Sequence, residues 1–79
     1  MIDTEKFLKE LQDKWPSNIV ARSHFDRFSG YAISPKTIAN LESLGQGPKN
    51  KFFVGGKAAY SVEDAIDFLR SRITMREEA

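Results

Sequence analysis

The stretch Ser34-Pro35-Lys36-Thr37-Ile38-Ala39-Asn40-Leu41-Glu42-Ser43-Leu44-Gly45 carries both ends of a helix in its own residues. The Ser34 hydroxyl can accept from one of the backbone N–H groups that a helix start leaves unpaired. Pro35 suits the first helical position, where its missing N–H is no loss and its fixed φ is already helical. Gly45 suits the left-handed residue just past the end. Ile38, Leu41 and Leu44 recur every three residues and predict a stripe lying on a core. The opposite face of the wheel carries Lys36, Ala39, Asn40 and Ser43. It is small, polar and singly basic, the character of a helix able to enter a DNA groove.

Around this stretch the chain is short: 79 residues, enough for one domain with a small core. Hydrophobic residues make up 41% and charged residues 29%, which argues against disorder throughout. With no cysteine, disulfides and cysteine-bound zinc are excluded, and a single histidine does not make a metal site. No apolar run approaches a membrane span, and Met1-Ile2-Asp3-Thr4-Glu5 is too acidic for a signal peptide, so a cytoplasmic location is expected. The formal net charge of +1 is unevenly distributed. Residues 15–60 hold Arg22, Arg27, Lys36, Lys49, Lys51 and Lys57 against Asp26 and Glu42, whereas both flanking segments are net acidic. Phosphate binding depends on such local potential rather than on the sum.

Residues 4–15 predict an amphipathic helix capped by Asp3 or Thr4, with Phe7, Leu8, Leu11 and Trp15 on one stripe, ended by Pro16. Trp15 continues that stripe, so a packing role is favoured over base stacking. Ser17–Ala21 reads as an extended lead-in. Ser23-His24-Phe25-Asp26 fits a capping box opening a short helix with Phe25 and Phe28 inward and Gly30 as its stop. His24 has no nucleophile or carboxylate partner in the pattern, so a solvent-facing place in the first turn is expected. Two short helices joined by a Gly-containing turn make the helix-turn-helix pattern, with Tyr31 and Ile33 expected to fill the gap between them.

Beyond Gly45, Gln46-Gly47-Pro48-Lys49-Asn50 reads as a loop. Gly55-Gly56, flanked by Lys51-Phe52-Phe53-Val54 and Lys57-Ala58-Ala59-Tyr60, predicts a two-residue hairpin pairing Val54 with Lys57 and Phe53 with Ala58. Phe53, Ala58 and Tyr60 are then expected on the core face, and Phe52, Val54 and Ala59 on the other, which is unusually apolar. Ser61-Val62-Glu63-Asp64 is a second capping box, opening a helix with Val62, Ala65, Ile66, Leu69 and Ile73 at helical spacing. Glu63, Asp64 and Asp67 read as a solvated first turn rather than a metal site, and Arg70, Arg72 and Arg76 complement the helix end.

The run Ser34-Pro35-x-Thr37, Ala39-Asn40-Leu41, Gly45-x-Gly47-Pro48, Gly55-Gly56-Lys57 and Tyr60, followed by a capped amphipathic helix, resembles the small MerR-like winged helix-turn-helix domains. Within them it is most similar to the excisionase and AlpA-type regulators of phages and integrated elements, over about residues 19–73. The resemblance implies a mainly α fold with a small β-hairpin, here with an extra N-terminal helix: residues 1–16 the helix, 17–76 the winged domain, 77–79 a frayed tail. It implies sequence-specific binding of double-stranded DNA, as a transcriptional regulator or a recombination directionality factor, with no catalytic activity, cofactor or metal. Partners implied are the duplex, further copies as a dimer or filament, and an integrase or RNA polymerase, with no membrane. Arg22, Ser34, Lys36, Thr37, Asn40 and Ser43 would face bases and adjacent phosphates, and Lys49, Asn50, Lys51 and Lys57 would be the wing contacts. Relatives often carry an Arg or Arg-Trp pair where this chain has Asn40-Leu41-Glu42-Ser43, and Trp near the place of Phe68. The alternative is a protein-interaction module that keeps the winged fold without using DNA.

Overall fold

Both capping signals of the 34–45 stretch are met in a computed structural model that describes residues 3–74. The helix spans Pro35–Ser43 (α3). Ser34 caps it, its hydroxyl accepting from the Thr37 N–H at 3.1 Å. At the other end Gly45 takes φ +72°. The Gly45 and Gln46 N–H groups donate back to the carbonyls of Glu42 and Leu41 at 3.0 and 2.8 Å, the paired bonds of a Schellman turn.

The other elements are α1 (Thr4–Lys14), β1 (Ile19–Ala21), a 3-10 turn at Arg22–His24, α2 (Phe25–Phe28), β2 (Phe52–Val54), β3 (Lys57–Ser61) and α4 (Val62–Arg72). The result is a small mainly helical domain with a three-stranded antiparallel sheet in the order β1-β3-β2. The hairpin has the expected register, Val54 opposite Lys57 and Phe53 opposite Ala58, and both turn glycines have positive φ as a two-residue turn requires. Residues 17–21 do more than lead in. Ile19, Val20 and Ala21 pair with Ser61, Tyr60 and Ala59, so the hairpin gains a third strand and β3 becomes central.

One core joins all the layers: Leu8 from α1, Val20 from β1, Phe25 and Phe28 from α2, Ile38 from α3, Tyr60 from β3, and Val62, Ala65, Ile66, Phe68 and Leu69 from α4. Trp15, just after α1, sets its ring edge-on to Phe28 with centroids 5.2 Å apart and donates its indole N–H to the Ile19 carbonyl at 2.9 Å. It thereby fastens α1 to β1. The Arg70 guanidinium adds a two-pronged bond to Glu5, at 2.8 and 2.9 Å, tying α4 to α1, and also pairs with Asp67. At the start of α4 the Ser61 hydroxyl accepts from the Asp64 N–H at 3.0 Å, as its capping pattern predicts.

Four expectations are corrected. The Ser23 capping box does not form: the Phe25 N–H is satisfied by the Arg22 carbonyl inside the 3-10 turn, the Ser23 hydroxyl meets the His24 ring, and α2 starts without a side-chain cap. Tyr31 is 74% exposed rather than plugged between helices. It and Gly30 are successive left-handed residues, and the Ser29 hydroxyl braces the turn by accepting from the Ile33 N–H at 3.1 Å. Leu44 is 67% exposed. A strict three-residue repeat drifts by about 60° per step on a 3.6-residue helix, so the third member leaves the core side. Phe53 is 62% exposed although it shares a sheet face with buried Ala58 and Tyr60. Helices α2 and α4 pack on β1 and β3, while the main packing of β2 is with β3 alone, so the core ends before reaching Phe53. Arg76 and residues 77–79 lie outside the described residues.

Candidate nucleic-acid interface

Drift around the helix also decides what α3 shows to solvent. Lys36, Thr37, Asn40, Ser43 and Leu44 are exposed along one face, while Ile38 is buried and Leu41 and Glu42 are turned inward. The Thr37 hydroxyl lies 3.0 Å from that of Ser34, and Ser43 donates to the Asn40 carbonyl at 2.7 Å. The Asn40 side-chain amide has no hydrogen bond within the described residues. An exposed amide with both donor and acceptor unengaged is the group that matches an adenine edge.

The hairpin and the loop before it meet α3 at its two ends. At its start, Pro35 shares a crevice with Arg22, Ser23, Gly56, Lys57 and Ala58. At its finish, Glu42 and Gly45 share another with Gly47, Pro48, Lys49 and Lys51. Lys36, Lys49 and Lys57 are exposed and form no ion pair among the described residues. From Ser43 to Val62 the chain contains three lysines and no carboxylate.

The remaining candidates are held by acids. Arg22 donates to Glu42 Oε1 at 2.7 Å, and Lys51 Nζ lies 3.6 Å from Oε2 of the same carboxylate. Asn50, left-handed at φ +58°, turns its amide toward the Asp64 carboxylate at 3.4 Å. Glu42, in the run where relatives often carry arginine, is turned away from solvent: its side chain is only 11% exposed and also accepts from the buried Tyr60 hydroxyl at 2.6 Å. Burial pushes the Glu42 carboxyl upward, but the hydrogen bonds from Tyr60 and Arg22 and the charges of Lys51 and Arg22 outweigh it, leaving the group below its ordinary value. Burial, reinforced by the bond to Glu42, holds the Tyr60 hydroxyl well above its ordinary value. Glu42 therefore fixes α3 to the 3-10 turn, to the central strand and to the approach of the hairpin with one carboxylate.

Gly47 makes room for that carboxylate. A methyl group at its α-carbon would lie 2.5 Å from the Glu42 γ-carbon and 3.3 Å from its α-carbon, too close for either to remain in place. Gly47→Ala is expected to lower stability by about 1–3 kcal/mol through overpacking. A urea titration checks it; an unchanged midpoint would show that the stem of Glu42 yields freely.

Among the described residues no three His, Asp or Glu side chains come together as a metal site, and no helix is long and apolar enough to cross a membrane. Comparison with protein-family models, characterised proteins and solved structures finds no match.

Proposed function

We propose that the chain is a sequence-specific double-stranded DNA-binding protein of winged helix-turn-helix type, with α3 in the major groove and the β2–β3 hairpin as a wing on the backbone or minor groove. The carrying observation is the exposed polar face of α3, with an unengaged Asn40 amide, met at its two ends by a lysine-bearing loop and hairpin that contain no carboxylate of their own. Lysines at the flanks supply sequence-independent attraction to phosphates, while side chains on the helix face read base edges. The exposed face lacks arginine and has one lysine, so a lone copy binds weakly and a second copy or a neighbouring protein raises the affinity. The excisionase-like order of sequence signals supports a role as a regulator or as a recombination directionality factor in the cytoplasm, acting beside RNA polymerase or an integrase and without chemistry of its own.

The test is a titration of labelled mixed-sequence duplex at low and moderate salt. Binding that weakens steeply as salt rises is expected; no binding at low salt refutes the proposal. Once a preferred site is selected, Asn40→Ala should lose roughly 1–3 kcal/mol on that site and relax preference at one or two base pairs. Equal loss on random DNA would remove Asn40 from base reading. Lys57→Ala should weaken binding to every sequence and flatten the salt slope by about one unit. An unaltered slope would take the wing off the backbone.

A second reading, a protein-interaction module, is favoured by the engagement of Arg22 and Lys51 with Glu42 and by the apolar hairpin tip. It predicts a salt-insensitive protein partner and no duplex binding in the same titration.

A further inference from the structure

The two edges of the sheet differ. At β1 the outward-facing backbone groups of Ile19 are both taken: its N–H donates to the Ser17 hydroxyl at 3.2 Å and its carbonyl accepts from the Trp15 indole at 2.9 Å. At β2 the two-residue turn makes Val54–Lys57 and Phe52–Ala59 the hydrogen-bonded pairs. The Phe53 N–H and carbonyl therefore point away from β3, on an edge with no neighbouring strand among the described residues. Phe52, Phe53 and Val54 are all exposed along it, Phe53 at 62%. An open apolar edge is a template for a further strand.

We infer that this edge is a contact between two copies of the chain, β2 pairing antiparallel with β2 of the second copy about a two-fold axis at Phe53. The register selects a second copy as the occupant. Centred on Phe53, it lets the two Phe53 residues exchange both outward hydrogen bonds and sets Phe52 of each copy opposite Val54 of the other. Lys51 then lies opposite Gly55, which has no side chain, and its charge is already paired with Glu42. Lys57 lies one strand inward, on β3. A one-residue shift in one direction runs the pairing into Asn50, left-handed at φ +58°, and in the other direction into the turn. Both faces of the sheet are extended. Phe53 meets its copy where the core ends, and the row Ala21, Ala59 and Phe52 runs on into Val54 of the second copy. With β1 closed by Trp15 and Ser17, no open edge is left for a third copy, so the assembly stops at two. The exposed parts of the three side chains amount to roughly 250–300 Å² per copy, against about 800 Å² in a standard interface. The dimer is accordingly weak, with a dissociation constant on the order of 0.1–1 mM. It stands apart from the duplex-binding proposal, to which it supplies the second copy.

Sedimentation equilibrium of the full chain without DNA, from about 10 μM to about 2 mM, reads the association. The average mass should rise from one chain toward two and no further. Phe53→Lys sets like charges directly opposite each other at the axis and should stay a single chain throughout, whereas Phe53→Val should dimerise within a few-fold of the wild type. Thermal unfolding should be unchanged in both, because the side chain is largely exposed. The register has its own test, which also decides the matter if Phe53→Lys fails to fold. In Phe52→Lys/Val54→Glu each new ammonium faces a new carboxylate of the other copy, so this variant should dimerise, and Phe52→Lys/Val54→Lys should not. A wild type that remains one chain at 2 mM overturns the inference. So does a folded Phe53→Lys that dimerises like the wild type, equal behaviour of the two double variants, or growth beyond two chains.

Discussion

Phe25→Ala should leave the domain largely unfolded at physiological temperature. Phe25 is completely buried and meets three other rings edge-on, Phe28, Phe68 and Tyr60, with centroids 5.6, 5.7 and 6.0 Å away. Those rings come from α2, α4 and β3, so a void at Phe25 loosens the places where the helices rest on the sheet. Truncating a buried phenylalanine to alanine costs about 3–5 kcal/mol. A domain this small is expected near the lower end of the usual stability range of about 5–15 kcal/mol. Phe25→Leu retains most of the buried area and should lose far less. Urea denaturation followed by Trp15 fluorescence reads both variants, because the indole packs on Phe28, the neighbour of the deleted ring. A Phe25→Ala midpoint within experimental error of the wild type would refute Phe25 as the centre of the core.

Glu42→Gln should move stability and DNA affinity in opposite directions. The amide keeps the size of the carboxylate but gives up its charge and half its accepting capacity. Hydrogen bonds to charged groups contribute about 1.5–3 kcal/mol, and the Tyr60 hydroxyl, with its ring fully buried, has no alternative partner among the described residues. A loss of about 2 kcal/mol at neutral pH is therefore expected. The same change frees Arg22 and Lys51, which phosphates would otherwise have to draw from Glu42. Under the DNA-binding proposal, affinity for mixed-sequence duplex should rise at low salt, with a steeper salt dependence as two more cations reach phosphates. The pH dependence separates Glu42 from the other acids. Its carboxyl lies lower in the folded state than the ordinary value of 4.5, so its stabilisation is complete above that value and fades as pH falls through its folded one. The difference in unfolding free energy between wild type and Glu42→Gln should thus be constant near neutrality and shrink in acid. A difference that grows on acidification would contradict the assignment.

What the sequence makes legible follows from the range of the forces involved. Ser34, Pro35 and Gly45 act on backbone groups within a turn of themselves, so the limits of α3 are readable, as are Gly55-Gly56 and the hairpin register. The strand at Ile19–Ala21 is too short for alternation to register, and its partner lies across the whole helix pair. The inward turn of Glu42 depends on Arg22, twenty residues before it, and Tyr60, eighteen after, and no local pattern announces such a meeting. Among the site residues, the exposure of Lys36, Thr37, Asn40 and Ser43 follows from the wheel, whereas the capture of Arg22, Lys51 and Asn50 by carboxylates does not. One signal was available: Glu42 sits four residues after Ile38, on its side of the helix.

The pairing of Ile19 with Ser61, extended by the bond from the Val62 N–H to the Asn18 carbonyl at 2.9 Å, closes a ring of about forty residues around the helix pair and the hairpin. The central strand thus waits for a partner made far earlier in the chain, and the entropy of closing that loop falls on the folding barrier. The segment that would touch DNA is thereby tied to the start of the chain: until residues 19–21 dock, β3 has one neighbour. Folding of the helix pair, hairpin and closing helix is therefore expected to be coupled to the docking of residues 19–21, in one cooperative event.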